Sequence, residues 1–156
     1  MQNVGTVISC DLHKNKLSLV ERGAARLGID IVSILERDAR EPQEAWCEGF
    51  DRVLCDVPCS GFGVFAKKPE LRYKNPEKSA ALPAIQRAIL SNSAAFVKPG
   101  GQLVYSTCTL LSRENGENIR VFLEEHPAFE LLRERTLYPD TDGTDGFYFA
   151  VLRKCR

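Results

Sequence analysis

The chain is expected to fold as an α/β protein organised on a parallel sheet. Two short β-rich runs, 4–10 and 31–35, flank a segment of helical periodicity. Each run is followed by an acid, Asp11 and Asp38. Further on, the apolar runs 50–56 and 103–108 flank a second helical pattern. Strand, helix and strand in alternation is the grammar of βαβ units.

In chain order, V-G-T-V-I-S-C at 4–10 reads as a strand ending at Asp11. Residues 14–27 carry Leu17, Val20, Ala24 and Leu27 at helical spacing, and Gly28 is the expected stop. Residues 31–35 form the second strand, ending near Glu36, Arg37 and Asp38. A polar link, 42–49, holds one helical turn around Ala45 and Trp46. The central strand runs from Phe50 to Asp56, and Pro58 breaks it. Residues 57–78 are irregular, with three prolines and two glycines; loops of this length are usually functional or mobile. Residues 79–97 read as a helix whose apolar face is Leu82, Ile85, Ile89 and Phe96, with Pro83 in its first turn. Lys98 to Gly101 is a sharp turn before the strand 103–108. A helix over 113–125 turns Ile119, Phe122 and Leu123 inward and stops at His126-Pro127. A short strand at 129–132, a loop at 138–146 and a closing antiparallel strand at 147–152 complete one side of the sheet.

The length of 156 residues suits one domain, 1–156, with a real core. Lys plus Arg and Asp plus Glu each total 21, so no global field favours a polyanion; a nucleic-acid site must be local. There is no apolar stretch long enough to span a membrane, and with polar residues after Met1 a signal peptide is not expected. The six cysteines are read as reduced thiols of a cytosolic enzyme, because Cys10, Cys55 and Cys108 lie in or beside strand-like runs. Zinc is not expected: there is no Cys-x-x-Cys pair and only His13 and His126 offer imidazoles. No internal repeat or low-complexity tract is present.

Three groups carry chemistry. A carboxylate at the end of a parallel strand can accept both hydroxyls of a ribose, a role that Asp11 fits, and Asp38 can accept from an adenine amine. Both acids also read as turn or cap residues. In Asp56-Val57-Pro58-Cys59 the proline leaves its carbonyl free beside a carboxylate, offering two acceptors to the amine of a planar base. In Ser106-Thr107-Cys108-Thr109 a strand-end thiol can become a lowered-pKa nucleophile. Either cysteine also reads as a small buried hydrophobe. The two strand ends are expected to face one pocket that does thiolate chemistry on a base. Carbon 5 of a pyrimidine is a poor nucleophile, but thiolate attack at carbon 6 makes it enolate-like and able to take a methyl group from a sulfonium. A base must then remove the carbon 5 proton so that the thiol can leave.

With these residues the chain resembles the RNA cytosine-5 methyltransferases, most closely the bacterial Sun/Fmu group acting on small-subunit ribosomal RNA. The resemblance runs almost end to end. It rests on R-L-G at 26–28, D-A-R at 38–40 and F-D-R-V-L-C-D-V-P-C-S-G-F-G-V from Phe50. It continues through K-P-G-G-Q-L-V-Y-S-T-C-T, E-N-G-E-N at 114–118 and D-G-F-Y-F-A at 145–150. It implies a Rossmann-like methyltransferase sheet with helices on both faces and S-adenosylmethionine as donor. It places Asp11 at the donor's ribose, Asp38 at its adenine and Asp56 between donor and target base. It also implies Cys108 as the nucleophile that forms the covalent adduct and Cys59 as the thiol that assists product release. The residues alone do not choose between these thiols.

The resemblance also implies a first strand with a glycine-rich loop, and a preceding RNA-binding domain, before the point where this sequence starts. The chain is therefore expected to be a C-terminal piece of the catalytic domain. Its sheet then closes a gap, borrows a strand from another copy in a strand-exchanged dimer, or rearranges. Donor binding and turnover by this piece alone are expected to be weak or absent, and micromolar binding in isothermal titration would overturn that. A second reading is a non-catalytic RNA-binding module using Lys67, Lys68, Arg72, Lys74 and Lys78, diluted by Glu70 and Glu77. A thiol redox protein lacks its Cys-x-x-Cys, and amino-methylating relatives carry an Asn/Asp-Pro-Pro-aromatic motif in place of D-V-P-C.

Overall fold

The computed structural model describes residues 1–155, with the side chains of Pro76 and Lys78 outside the description. It contains two compact units, Met1–Pro42 and Gln43–Arg156.

The first unit is a βαβ element. Strand β1 (Val7–Asp11) runs parallel to β2 (Val32–Glu36), with Val7 opposite Val32 and Asp11 opposite Glu36. Helix α1 (Lys14–Arg26) connects them and buries Leu17. Gly28 stops the helix at φ +65°, and the Gly28 and Ile29 amides take up carbonyls of its last turn. Strand β1 starts later than the β-rich run because Gln2, Asn3 and Gly5 have positive φ and curl the chain. The Asn3 side chain holds that curl by donating to the Gly28 carbonyl at 2.8 Å and accepting from the Asp30 amide at 3.1 Å.

The second unit is built on β3 (Phe50–Asp56), β4 (Val97–Thr107), β5 (Phe129–Leu137) and β6 (Phe147–Lys154), in the spatial order β3-β4-β6-β5. Strands β3 and β4 are parallel, joined through α2 (Leu82–Phe96). Strand β6 is antiparallel to both β4 and β5, so it lies between them. Helix α3 (Gly116–Glu125) follows β4, and the short α4 (Pro139–Asp142) precedes β6. The core gathers Cys55, Val57, Leu103, Tyr105, Tyr148, Ala150 and Leu152 from the sheet with Leu90, Ala94, Ile119 and Phe122 from α2 and α3. These are Rossmann-like α/β elements, as expected, and among the described residues the strands form two sheets, β1–β2 and the four-stranded one.

Several local expectations change. The turn at 98–101 is a bulge: Gly100 has φ +80°, and the register jumps from Phe50 opposite Val97 to Arg52 opposite Gln102. Leu82, Ile85 and Ile89 are only half-buried, and the inward stripe of α2 is Gln86, Leu90, Ser93, Ala94 and Phe96. The expected helix 113–125 is a 3₁₀ turn, Ser112–Glu114, followed by α3, because Asn115 is non-helical (φ −117°, ψ −115°). The irregular segment contains two 3₁₀ turns, Pro69–Tyr73 and Pro76–Ser79.

Candidate active site

Strands β3 and β4 run side by side and end together, Asp56 opposite Ser106. Their onward loops therefore emerge at one carboxyl edge. The Val57 amide donates to the Ser106 carbonyl at 3.3 Å, the Gly63 amide to the Cys108 carbonyl at 2.9 Å, and the Ser60 and Thr109 hydroxyls bond at 2.8 Å. The result brings Cys59 and Cys108 together, with their Sγ atoms 3.2 Å apart. The two thiols that the sequence could not separate share one hydrogen bond.

That pair is electrically uneven. The hydrogen bond from Cys59 is the main cause that lowers the Cys108 thiol from 9.0 to about 6, against burial and the nearby Asp56 carboxylate, and with help from its own backbone N–H and Lys68. The same bond, then burial, pushes Cys59 far above the ordinary thiol range. These opposite shifts bias the pair towards a thiolate on Cys108 and a protonated thiol on Cys59. Asp56 is exposed beside them and accepts from the Ser106 hydroxyl at 3.2 Å.

The Pro58 carbonyl is not free. The Gln86 side chain donates to it at 2.9 Å, which leaves one lone pair for a substrate amine. Gln86 belongs to a buried polar cluster that periodicity did not find. Its amide also donates to the Glu114 carboxylate at 2.9 Å, and the Ser60 backbone amide donates to the same carboxylate oxygen at 2.9 Å. Asn118 donates to Gln86 at 3.1 Å, and the Tyr105 hydroxyl donates to the Glu114 carbonyl at 2.7 Å. Asn115 accepts from the Thr107 hydroxyl at 2.6 Å and donates to the Thr109 carbonyl at 2.9 Å. E-N-G-E-N was visible as a motif without a role, and a glutamine on the apolar side of α2 was the other available signal.

Asp11 and Asp38 lie at the carboxyl ends of β1 and β2, as their positions suggested. Each is engaged within the first unit. Asp11 accepts from the His13 amide at 2.8 Å and pairs with Lys16 at 3.3 Å; burial opposes these bonds, but the net pKa shift is downward. Asp38 forms a fork with the Arg40 side chain and amide, which holds its carboxyl at about 2. Both carboxylates are ionised acceptors, which is the chemistry a ribose or an exocyclic amine requires. In the basic segment, Lys67 pairs with Asp145 at 2.6 Å and Lys74 donates to the Ser60 carbonyl at 2.9 Å, while Lys68, Arg72 and Tyr73 stay exposed. The Lys78 side chain lies outside the described residues. A cavity of about 560 Å³ opens between this segment and the Cys108 loop, lined by Phe62, Phe65, Arg72, Lys74 and Leu110 among others. Among the described residues, no cluster of His, Cys, Asp or Glu could hold a metal, and no helix is long and apolar enough to cross a membrane.

Residues 1–153 match the family model described as 16S rRNA methyltransferase RsmB/F. The chain is 45% identical to the probable ribosomal RNA small subunit methyltransferase B of Bacillus subtilis, covering 99% of this chain and 39% of that protein. It is 34% identical to the ribosomal RNA small subunit methyltransferase F of Cronobacter sakazakii, covering 99% of this chain and 36% of that protein. It therefore spans under two fifths of the length of these curated relatives. Among solved structures, PH0851 superposes with a TM-score of 0.94 at 36% identity, over 99% of this chain and 38% of that one. NSun6 from Pyrococcus horikoshii, solved with SFG, superposes with a TM-score of 0.83 at 29% identity, over 99% of this chain and 43% of that one.

Proposed function

Since the chain belongs to the 16S rRNA methyltransferase RsmB/F family, we propose that it carries the thiol chemistry for methylating carbon 5 of a cytidine in small-subunit ribosomal RNA. The observation that carries this reading is the Cys59–Cys108 pair, 3.2 Å apart, at the joined ends of β3 and β4.

The Cys108 thiolate attacks carbon 6 of the cytosine, and the ring electrons move to carbon 5. S-adenosylmethionine, the proposed donor, supplies an electrophilic methyl group on a sulfonium. The ionised acids Asp11 and Asp38 suit its ribose and adenine. Asp56 and the remaining lone pair of the Pro58 carbonyl accept from the cytosine amine, in line with their places at the end of β3. Cys59 changes character during the cycle. Its hydrogen bond to Cys108 is the largest cause of its high pKa, and adduct formation removes that bond. Relieved of that bond, Cys59 gives its proton to solvent; its thiolate then takes the carbon 5 proton, and the electrons of that C–H bond expel Cys108 from carbon 6 as a thiolate.

The test is adduct trapping with the full-length protein, S-adenosylmethionine and RNA carrying 5-fluorocytidine, whose fluorine cannot leave as a proton does. A denaturant-stable protein–RNA adduct is expected, lost in Cys108→Ala and kept in Cys59→Ala. Dependence on Cys59 instead would reverse the two roles.

A further inference from the structure

Glu114 and Asn115 stand side by side in the motif that the chemistry above leaves without a task. Each reaches one of the two thiol loops, and each holds the residues on both sides of a cysteine. For Cys108, the Asn115 side chain accepts from the Thr107 hydroxyl at 2.6 Å and donates to the Thr109 carbonyl at 2.9 Å. For Cys59, the Glu114 carboxylate accepts from the Ser60 amide at 2.9 Å and from Gln86, whose amide also holds the Pro58 carbonyl, each at 2.9 Å. All four side chains concerned, Gln86, Thr107, Glu114 and Asn115, are buried. The backbone break at Asn115, between the 3₁₀ turn and α3, lets neighbouring side chains reach two different loops. Carboxylate oxygen Oε1 of Glu114 is buried with no hydrogen-bond partner among the described residues, so Oε2 alone makes the bridge.

We infer that Glu114 and Asn115 are positioning residues that clamp the Pro58–Ser60 and Thr107–Thr109 segments and thereby set the distance between the two sulfurs. The inference rests on the reading of Cys108 as the nucleophile. Neither residue touches the reacting atoms; each acts through the loop it holds.

The test is the pH profile of Cys108 alkylation by iodoacetamide in the full chain, resolved by peptide mass spectrometry because other cysteines are exposed. Thermal melting of each variant is measured beside it. In the unaltered chain the profile has its midpoint well below that of an ordinary thiol. Glu114→Ala and Asn115→Ala are expected to raise the midpoint by at least about one pH unit, since a displaced Cys59 no longer donates to the thiolate. Glu114→Gln should restore it: the amide oxygen replaces Oε2 and the amide nitrogen takes the place of the unpartnered Oε1. Folded alanine variants with an unchanged midpoint overturn the inference, and so does a Glu114→Gln variant as impaired as Glu114→Ala. Should Glu114→Ala not fold, Gln86→Ala, which releases the Pro58 carbonyl, is read in the same way. If Cys108 of the unaltered chain titrates like an ordinary thiol, the proposed function itself fails, which separates the two.

Discussion

At the scale of single residues, the thiol pair makes a prediction whose size needs two opposing effects. Lowering Cys108 from 9.0 to about 6 raises its thiolate population at neutral pH by roughly ninetyfold. Intrinsic nucleophilicity falls as a thiol becomes more acidic, by roughly fifteen- to thirtyfold over such a shift. The net gain in alkylation rate at neutral pH is therefore only about three- to sixfold, and the informative quantity is the midpoint. Cys108 is deprotonated above its pKa, so its alkylation should rise through pH of about 6 and then level off. In Cys59→Ala the donor is gone and the midpoint should move towards 9.0; a midpoint that stays put would show that the pair is not coupled. Asp56, Pro58, Cys59 and Cys108 were legible in the sequence because a proline and a thiol after an apolar run mark a strand end. Gln86 was not, because a polar residue on the apolar side of a helix has no evident task until the carbonyl it reaches, 28 positions away, is known.

At the scale of elements, the loops after β3 and before β6 cross at two glycines. The Gly63 amide donates to the Cys108 carbonyl and the Gly146 amide to the Gly63 carbonyl at 2.7 Å. A Cβ on Gly63 would lie 2.0 Å from the Gly146 carbonyl oxygen and 2.8 Å from that of Cys108. These are backbone atoms that no rotamer change can move aside. Gly63→Ala is expected to cost about 1–3 kcal/mol or more of stability and to displace the Cys108 loop. Urea unfolding would report the first effect and the alkylation midpoint the second; an alanine variant with unaltered stability would contradict this crossing. The G-F-G and D-G-F motifs are thus two sides of one contact between distant segments. Strand positions and their order along the chain were legible from apolar runs and turn residues, whereas the full length of β5 was not. Leu131 is 37% and Leu132 42% exposed, and Arg133, Glu134 and Arg135 follow, so β5 lacks a continuous apolar run. Its pairing with β6, rather than its own pattern, makes it a strand.

At the scale of the whole molecule, two properties follow from where the buried groups lie. Cys55 is fully buried and its thiol is pushed up to about 11, and burial also raises Tyr105 and Tyr148. Between the ordinary thiol value of 9.0 and 11 the unfolded chain loses the Cys55 proton while the folded chain keeps it, so folding stability falls as pH rises. At about 1.4 kcal/mol per pH unit, Cys55 alone removes roughly 2–3 kcal/mol over that window, a large share of a typical domain's stability. Urea midpoints should drop across it, and less steeply in Cys55→Ala; parallel slopes would exclude this origin. The second property concerns the division at Pro42. Among the described residues, the groups that hydrogen-bond to or act electrostatically on Cys59 and Cys108 as set out above, and the main core cluster, lie within Gln43–Arg156. Met1–Pro42 has two strands and one helix, too little to be stable alone. Residues 43–156 expressed by themselves are therefore expected to melt cooperatively and to keep the Cys108 midpoint near 6, whereas residues 1–42 alone should show no cooperative transition. A midpoint near 9.0 in a folded 43–156 chain would show instead that the first unit helps to hold the thiols together.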